Sequence, residues 1–258
     1  MDTFLFDSVI YGPVTSRRLG ISLGINLLPA NRKYCNFDCS YCECGLNKEG
    51  SCLKITLPSR FEVSQNLQLA LESISEKKEK LDVITFAGNG EPTMHPDFHL
   101  IINDVIALRD KFYKDAAITV LSNSTMLHKK MVIEALKKVD NNIMKLDSGI
   151  NETVRLINRP AGTFDIDKII RQLKSFSGQL IIQTMFLKGK IEGKPVDNTT
   201  EVELAAWGNC LREINPRMVM IYTIARNTPF DTLEKIPAVK LKQIADRIEK
   251  IGISVKTY

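Results

Sequence analysis

Short apolar runs alternate regularly with stretches of helical periodicity, and this alternation limits what the chain can fold into more than any other feature. The runs are Ile21–Leu28, Val83–Ala87, Ile118–Leu121, Ile143–Leu146, Leu180–Leu187 and Val219–Ile224, with Ile253–Tyr258 as a candidate seventh. They are short and near-continuously apolar, as strands buried on both faces of a parallel sheet are. Between them, apolar residues recur at i, i+3, i+4 and i+7 from Leu67, Phe98, Val132, Ile166 and Leu241, and more weakly from Val202, which marks amphipathic helices. Right-handed crossovers wind six such strand–helix pairs into one parallel sheet with helices outside. Six pairs are too few to close an eight-fold barrel. The expected fold is therefore α/β, a partial (β/α)6 parallel barrel, in one domain over residues 1–258. Lys188–Pro195, with Gly189 and Gly193, reads as a mobile loop after the fifth strand.

A chain of 258 residues that is 44% hydrophobic can bury about three-quarters of its unfolded surface, so the fold needs no disulfide staples. Lys and Arg number 35 against 30 Asp and Glu, a net charge of +5; this permits an anionic partner such as RNA without demanding one. Met1–Pro13 has neither a basic start nor a long apolar run, and no window approaches the roughly 20 apolar residues that cross a bilayer. The expectation is a cytoplasmic protein with no membrane partner. Cysteines stay reduced in that compartment, so clustered ones point to metal or redox chemistry.

Such a cluster follows the first strand, in a loop at about residues 30–45. Cys35, Cys39 and Cys42 have the spacing C-x3-C-x2-C. Three thiolates within eight residues converge easily on one point, and thiolates are the usual ligands of iron–sulfur clusters. On a four-iron cube they leave one iron open for a substrate, by the logic of open catalytic zinc sites. Cys44 is a candidate fourth thiolate, which would make a closed zinc or electron-transfer site. With only Glu43 between them, Cys42 and Cys44 could hardly both be aimed at one cube. Cys52 could serve a second centre only with further ligands. Cys210, on an apolar helix face, reads as a small core residue.

The second strand runs into Gly88-Asn89-Gly90-Glu91-Pro92. Its glycines let backbone approach a ligand, and a carboxylate there can accept hydrogen bonds from an ammonium. Later strand ends, where ligands gather in parallel sheets, carry Ser122 and Asn123, Lys145 and Asp147, and Tyr222. Gln183, inside an apolar run, must find a polar partner. Arg17, Arg18, Arg159 and Arg226 are candidates for a phosphate or carboxylate of the substrate, or for ordinary ion pairs.

C-x3-C-x2-C with Tyr41 before the last cysteine resembles the signature of the radical SAM superfamily. Gly88-Asn89-Gly90-Glu91-Pro92 resembles that superfamily's Gly-Gly-Glu-Pro motif, with Asn89 in place of the first glycine. Tyr11-Gly12-Pro13, Ser16-Arg17-Arg18-Leu19-Gly20 and Ile157-Asn158-Arg159-Pro160 are similar to the branch that includes the wyosine-base synthase of transfer RNA and uncharacterised Fe–S oxidoreductases. The chain lacks that synthase's extra cysteines before the motif. The resemblance implies a [4Fe–4S] cluster on Cys35, Cys39 and Cys42. It implies S-adenosylmethionine (SAM) held by Gly88, Asn89, Gly90 and Glu91, with Ser122, Asn123, Asp147 and Tyr222 as further contacts. It further implies reductive cleavage of SAM to a 5′-deoxyadenosyl radical that abstracts hydrogen from a substrate, which could be RNA or a protein. A low-potential flavodoxin or ferredoxin would supply the electron. A glycyl-radical-enzyme activase, and a non-catalytic iron–sulfur or zinc protein, are the competing readings.

Overall fold

The computed structural model describes residues 4–47 and 55–258. In chain order the elements are β1 (Ile10–Ser16), β2 (Gly20–Ile25), α1 (Arg60–Glu76), β3 (Val83–Phe86), α2 (Phe98–Phe112), β4 (Ala117–Ser122), α3 (Lys130–Leu136), β5 (Asn141–Lys145), α4 (Asn151–Asn158), α5 (Ile166–Lys174), β6 (Ile181–Ile191), β7 (Lys194–Asp197), α6 (Glu201–Ile214), β8 (Met218–Thr223), β9 (Leu233–Lys235), α7 (Ala238–Glu249) and β10 (Val255–Thr257). The sheet order is β1-β2-β3-β4-β5-β6-β8-β10. From β2 to β10 every neighbouring pair is parallel. Each apolar run read from the sequence is one of these parallel strands, including the candidate seventh. β1 and β10 end the sheet unpaired with each other, so the barrel stays open, as expected of too few units.

Local chemistry explains where the helices sit. Ser59 caps α1 by accepting from the Glu62 backbone N–H, and Thr200 caps α6 by accepting from that of Glu203, each satisfying a donor the helix leaves over. Glu203 then reaches out of its helix to accept from Ser148 Oγ (2.6 Å) and Thr153 Oγ1 (2.5 Å), which fixes α6 to the turn after β5. Gly149 lets α6 come this close, since a Cβ there would stand 2.6 Å from the Ala206 carbonyl carbon. Leu67, Leu71 and Ile74 of α1 and Ile101, Ile102 and Val105 of α2 are buried, as their spacing requires. Cys210 is buried in α6 among core residues.

Besides α4 and β9, which the sequence reading lacks, the structure differs from that reading at residues 188–195 and before β2. Residues 188–195 do not form a mobile loop: β6 runs on to Ile191 and folds back on β7 with Ile191 opposite Lys194. Glu192 and Gly193, at φ 51° and 79°, make the two-residue turn with both φ positive that matches strand twist. Glycine here closes a hairpin. An antiparallel strand, β1, also precedes the first parallel one and pairs with β2. Tyr11 of β1 stacks on Phe6 at 3.7 Å and lies across Gly24, where a Cβ would meet its ring at 2.0 Å.

Candidate functional site

The cysteine loop leaves β2 through Asn26, whose side-chain oxygen accepts from Leu28 N (3.2 Å) and Asn89 N (3.1 Å). The loop is then fastened on two sides. On one, Tyr34 N donates to Asn89 O (2.7 Å) and Glu91 N to Tyr34 O (3.2 Å), so Tyr34 and Gly90 form a one-residue parallel bridge. Gly90 is at φ +142°, and a Cβ on it would lie 1.9 Å from Tyr34 O. On the other, Asp38 N donates to Asn158 O (2.9 Å), Ser40 N to Ile157 O (2.8 Å) and Ala161 N to Asn36 O (2.8 Å). The Ile157-Asn158-Arg159-Pro160 segment is therefore a docking edge for the cysteine loop.

The thiols of Cys35, Cys39 and Cys42 are free, with Cys39 buried and the other two half-buried. Phe37 N donates to Cys35 Sγ (3.4 Å), as does Asn123 Nδ2 (3.7 Å), and Asn158 Nδ2 donates to Cys39 Sγ (3.4 Å). Lys33, almost wholly buried, donates to Asp38 Oδ1 (3.0 Å) and Gly45 O (3.0 Å). Burial lowers its pKa, but Cys42, Asp38 and Cys35 outweigh that and leave it raised. The Cys42 thiol is pulled below its ordinary value, first by its hydrogen bond with Cys44 and then, against burial, by Lys33. Burial pushes the Cys39 thiol up to about 11. Among the described residues, no three His, Cys, Asp or Glu side chains surround a single metal-ion position. The donor set nonetheless fits an iron–sulfur cluster: three free thiols on one fastened loop, N–H groups aimed at sulfur, and a buried cation beside them. Cys44 turns to Gly88 O (3.6 Å). Cys52 lies outside the described residues.

Glu91 is 2% exposed. Its carboxylate accepts from Thr93 N (3.1 Å), Thr93 Oγ1, Ser122 Oγ (2.9 Å) and Asn123 N (2.6 Å). Burial raises its pKa, and these bonds counter it. No cation pairs with Glu91 among the described residues; it is an anion held by neutral donors beside Cys35. Asn123 joins the two motifs, giving its backbone N–H to Glu91 and its side-chain amide to Cys35 Sγ and Asn36 Oδ1 (2.7 Å). Asn89 is structural: its side-chain amide accepts from Phe6 N (2.9 Å) and donates to Phe6 O (2.8 Å) and Pro29 O (2.8 Å). These bonds tie the Asn89 side chain to the segment before β1 and to the start of the cysteine loop. Gly88 makes room for Asn26, whose Oδ1 would lie 2.2 Å from a Cβ.

A second network lies behind Cys39. Asp147, fully buried, accepts from Tyr41 Oη, Asn158 Nδ2 (2.6 Å) and Met185 N (2.9 Å), with Lys145 Nζ at 3.5 Å. Lys145 also donates to Tyr41 Oη (2.6 Å). Burial pulls the Lys145 pKa down, but Asp147, Tyr222 and Cys39 together leave it raised. Asp147 has four donors in place and orients Lys145, Tyr41 and Asn158. Tyr222 sits against Lys145 on one side and under the Arg18 guanidinium, 4.7 Å away, on the other. Asn158 and Lys33 were not read from the sequence as site residues. Arg159 pairs with Glu192 (2.6 Å) and Arg226 with Glu43, the ordinary ion pairs that were the competing reading for both. Asp147→Asn should cost about 2–3 kcal/mol of stability, because it leaves Lys145 without its anion and sets an amide N–H₂ against existing donors. A lower urea midpoint at constant m-value measures this; an unchanged midpoint would show that the carboxylate charge is not needed.

Residues 33–195 match the family description Radical SAM superfamily. The chain belongs to the radical SAM superfamily. Its matched region is the domain of radical SAM enzymes. Membership in this superfamily implies a [4Fe–4S] cluster and SAM. A UPF0026 protein of Helicobacter pylori is 32% identical over 226 residues, covering 86% of this chain and 68% of the relative. A Brachyspira hyodysenteriae protein named GTPase Obg is 30% identical over 223 residues, which are 85% of this chain and 30% of that protein. The chain thus spans under a third of one relative's length and about two-thirds of the other's. It has no G-x-x-x-x-G-K-S/T phosphate loop. These relatives do not place it in the wyosine-base synthase branch. A radical SAM methyltransferase from Sphaerobacter thermophilus superposes with a TM-score of 0.67 at 13% identity, covering 92% of this chain and 65% of that one. Streptococcus suis SuiB bound to S-adenosylmethionine gives 0.61 at 13% identity, covering 88% and 48%. At this identity the structures establish the shared partial-barrel fold. No described helix is long and apolar enough to cross a membrane.

Proposed function

We propose that this radical SAM enzyme holds its cluster on Cys35, Cys39 and Cys42 and seats SAM against the Glu91 side of the loop. The single observation behind this reading is the hydrogen-bonded seam from Tyr34 to Gly90 and Glu91, which keeps the three thiols and an uncompensated buried carboxylate at one end of the barrel. When bound, the cluster would supply the low-potential electron that cleaves SAM. Glu91, already ordered by Thr93, Ser122 and Asn123, is set to receive the ammonium of SAM. Asn123 and Asn158 donate to the sulfurs and orient them. Tyr41, Lys145 and Tyr222 close the interior side, where water must be kept from a radical. A flavodoxin or ferredoxin is the electron donor in this reading, which makes the enzyme an oxidoreductase. An activase would share the same site and differ in delivering the radical to a partner polypeptide.

The test is anaerobic purification with iron and sulfide analysis, then dithionite reduction with SAM and a search for 5′-deoxyadenosine. About four irons per chain, as a four-iron cluster requires, together with 5′-deoxyadenosine are expected. Zinc in place of iron, or a reduced cluster that never cleaves SAM, would overturn the proposal. Glu91→Ala should keep the iron content and weaken SAM binding about tenfold or more, the value of a hydrogen-bonded charge. Titration calorimetry reads the affinity, and an unchanged value removes Glu91 from the SAM site.

A further inference from the structure

At the opposite end of the barrel the amino ends of the strands surround a cavity of ≈ 410 Å³ that has played no part so far. Three cations line it from three separate elements: Arg18 from the β1–β2 turn, Arg217 from the α6–β8 connection and Lys256 from β10. None of the three is in an ion pair among the described residues. Arg217 donates to the backbone oxygen of Asp140 (3.3 Å) and to Asn141 Oδ1 (2.9 Å), both neutral acceptors. The nearby carboxylates are engaged elsewhere. Asp82 accepts from Ile21 N (2.8 Å) and pairs with Lys80. Asp140 pairs with Arg109 and accepts from Ile118 N (2.8 Å).

The remaining wall is formed by Leu19, Ile181, Met218 and Met220 together with Asn141 and Ser254. Side chains two residues apart on a strand share a face, so the wall continues upward from Met218 and Met220 to Tyr222, and from Ile181 to Gln183. Gln183 is 7% exposed, and its amide has no hydrogen-bond partner among the described residues. Four residues of strand carry the wall about 13 Å from Met218 to Tyr222, which touches both Arg18 and the Lys145 network behind Cys39. Ile181 and Met220 pack with Ile143 beneath this level, and Tyr222, with Arg18 on one face and Lys145 on the other, joins the basic cavity to the proposed radical site.

We propose that this cavity binds the substrate, and that the substrate is a phosphate ester of a small, partly apolar molecule. This rests on the radical SAM reading for its catalytic meaning. The volume is that of a small-ligand site. Phosphate fits better than carboxylate, because three terminal oxygens can accept from cations on three sides whereas a planar carboxylate offers two. The ester's body lies along the methionines, and the Gln183 amide bonds a polar group near the reacting carbon.

Calorimetric titration of the full chain with phenyl phosphate tests this, with inorganic phosphate and benzoate as comparison probes. Saturable binding of one phenyl phosphate per chain is expected, tighter than either comparison probe. The double variant Arg217→Gln/Lys256→Gln should lower that affinity about tenfold or more. Should the double variant not fold, Lys256→Glu, on an exposed edge strand, must lower it alone. Absence of saturable binding, indifference to these substitutions, or equal affinity for benzoate would overturn the proposal. The titration contains no SAM, so its failure is separate from a failure to form 5′-deoxyadenosine.

Discussion

Cys39→Ala should purify with less than about one iron per chain where the parent holds about four, without visible cluster absorbance and without 5′-deoxyadenosine. Cys39 is the most buried of the three thiols, and Asn158 already donates to its sulfur. Its loss leaves two motif thiolates. Among the described residues the spare thiol nearest in sequence, Cys44, is already engaged with the Gly88 carbonyl and Cys42. Thermal melting should fall relative to the iron-loaded parent, since a group bound only by the folded chain stabilises it. Cys44→Ala should keep its iron. The decisive measurement is iron per folded chain: a full complement in Cys39→Ala would remove this cysteine from the ligand set.

Gly90→Ala is expected to cost about 4 kcal/mol and to lower iron incorporation with it. Two penalties combine. At φ +142° the backbone is in a region that is essentially glycine's alone, worth about 1–3 kcal/mol to any other residue. The added methyl would also stand 1.9 Å from the Tyr34 carbonyl oxygen. That oxygen is fixed by the bond from Glu91 N and cannot swing away as a flexible side chain would, so overpacking adds about 1–3 kcal/mol more. Denaturant unfolding measures the loss and iron analysis measures the seam. Gly193→Ala is the control for positive φ alone, because a Cβ there meets nothing within 4 Å. If the two variants lost equal stability, the contact with Tyr34 would carry none of it.

The parallel strands were legible in the sequence because each is a continuous apolar run, and the helices at Leu67, Phe98 and Leu241 because they repeat over two turns or more. β1 was not, since Gly12 and Pro13 interrupt it and its exposed face shows no alternation. α4 was missed because eight residues give only one apolar pair, Val154 and Ile157. The cysteines were legible by spacing, and Glu91 by its place at a strand end. Asn158 and Lys33 were not. The role of Asn158 depends on a segment 119 residues away at Cys39, and Lys33, though it bonds within its own loop to Asp38 and Gly45, is a single polar residue that carries no periodic signal. The Asn89 amide is likewise held by Phe6 and Pro29, which no local pattern connects to it.

The two seams that grip the cysteine loop also bear on how the protein acquires its metal. In a small zinc domain the ligands are scattered in the unfolded chain, and metal binding supplies the free energy of folding. Here Tyr34 is tied to Gly90 and Glu91, and Asn36, Asp38 and Ser40 to the edge at 157–161, all by main-chain bonds that involve no sulfur. Those bonds offset part of the loop's conformational entropy without any contribution from sulfur, so the geometry of the three thiols is set by the barrel rather than by a metal alone.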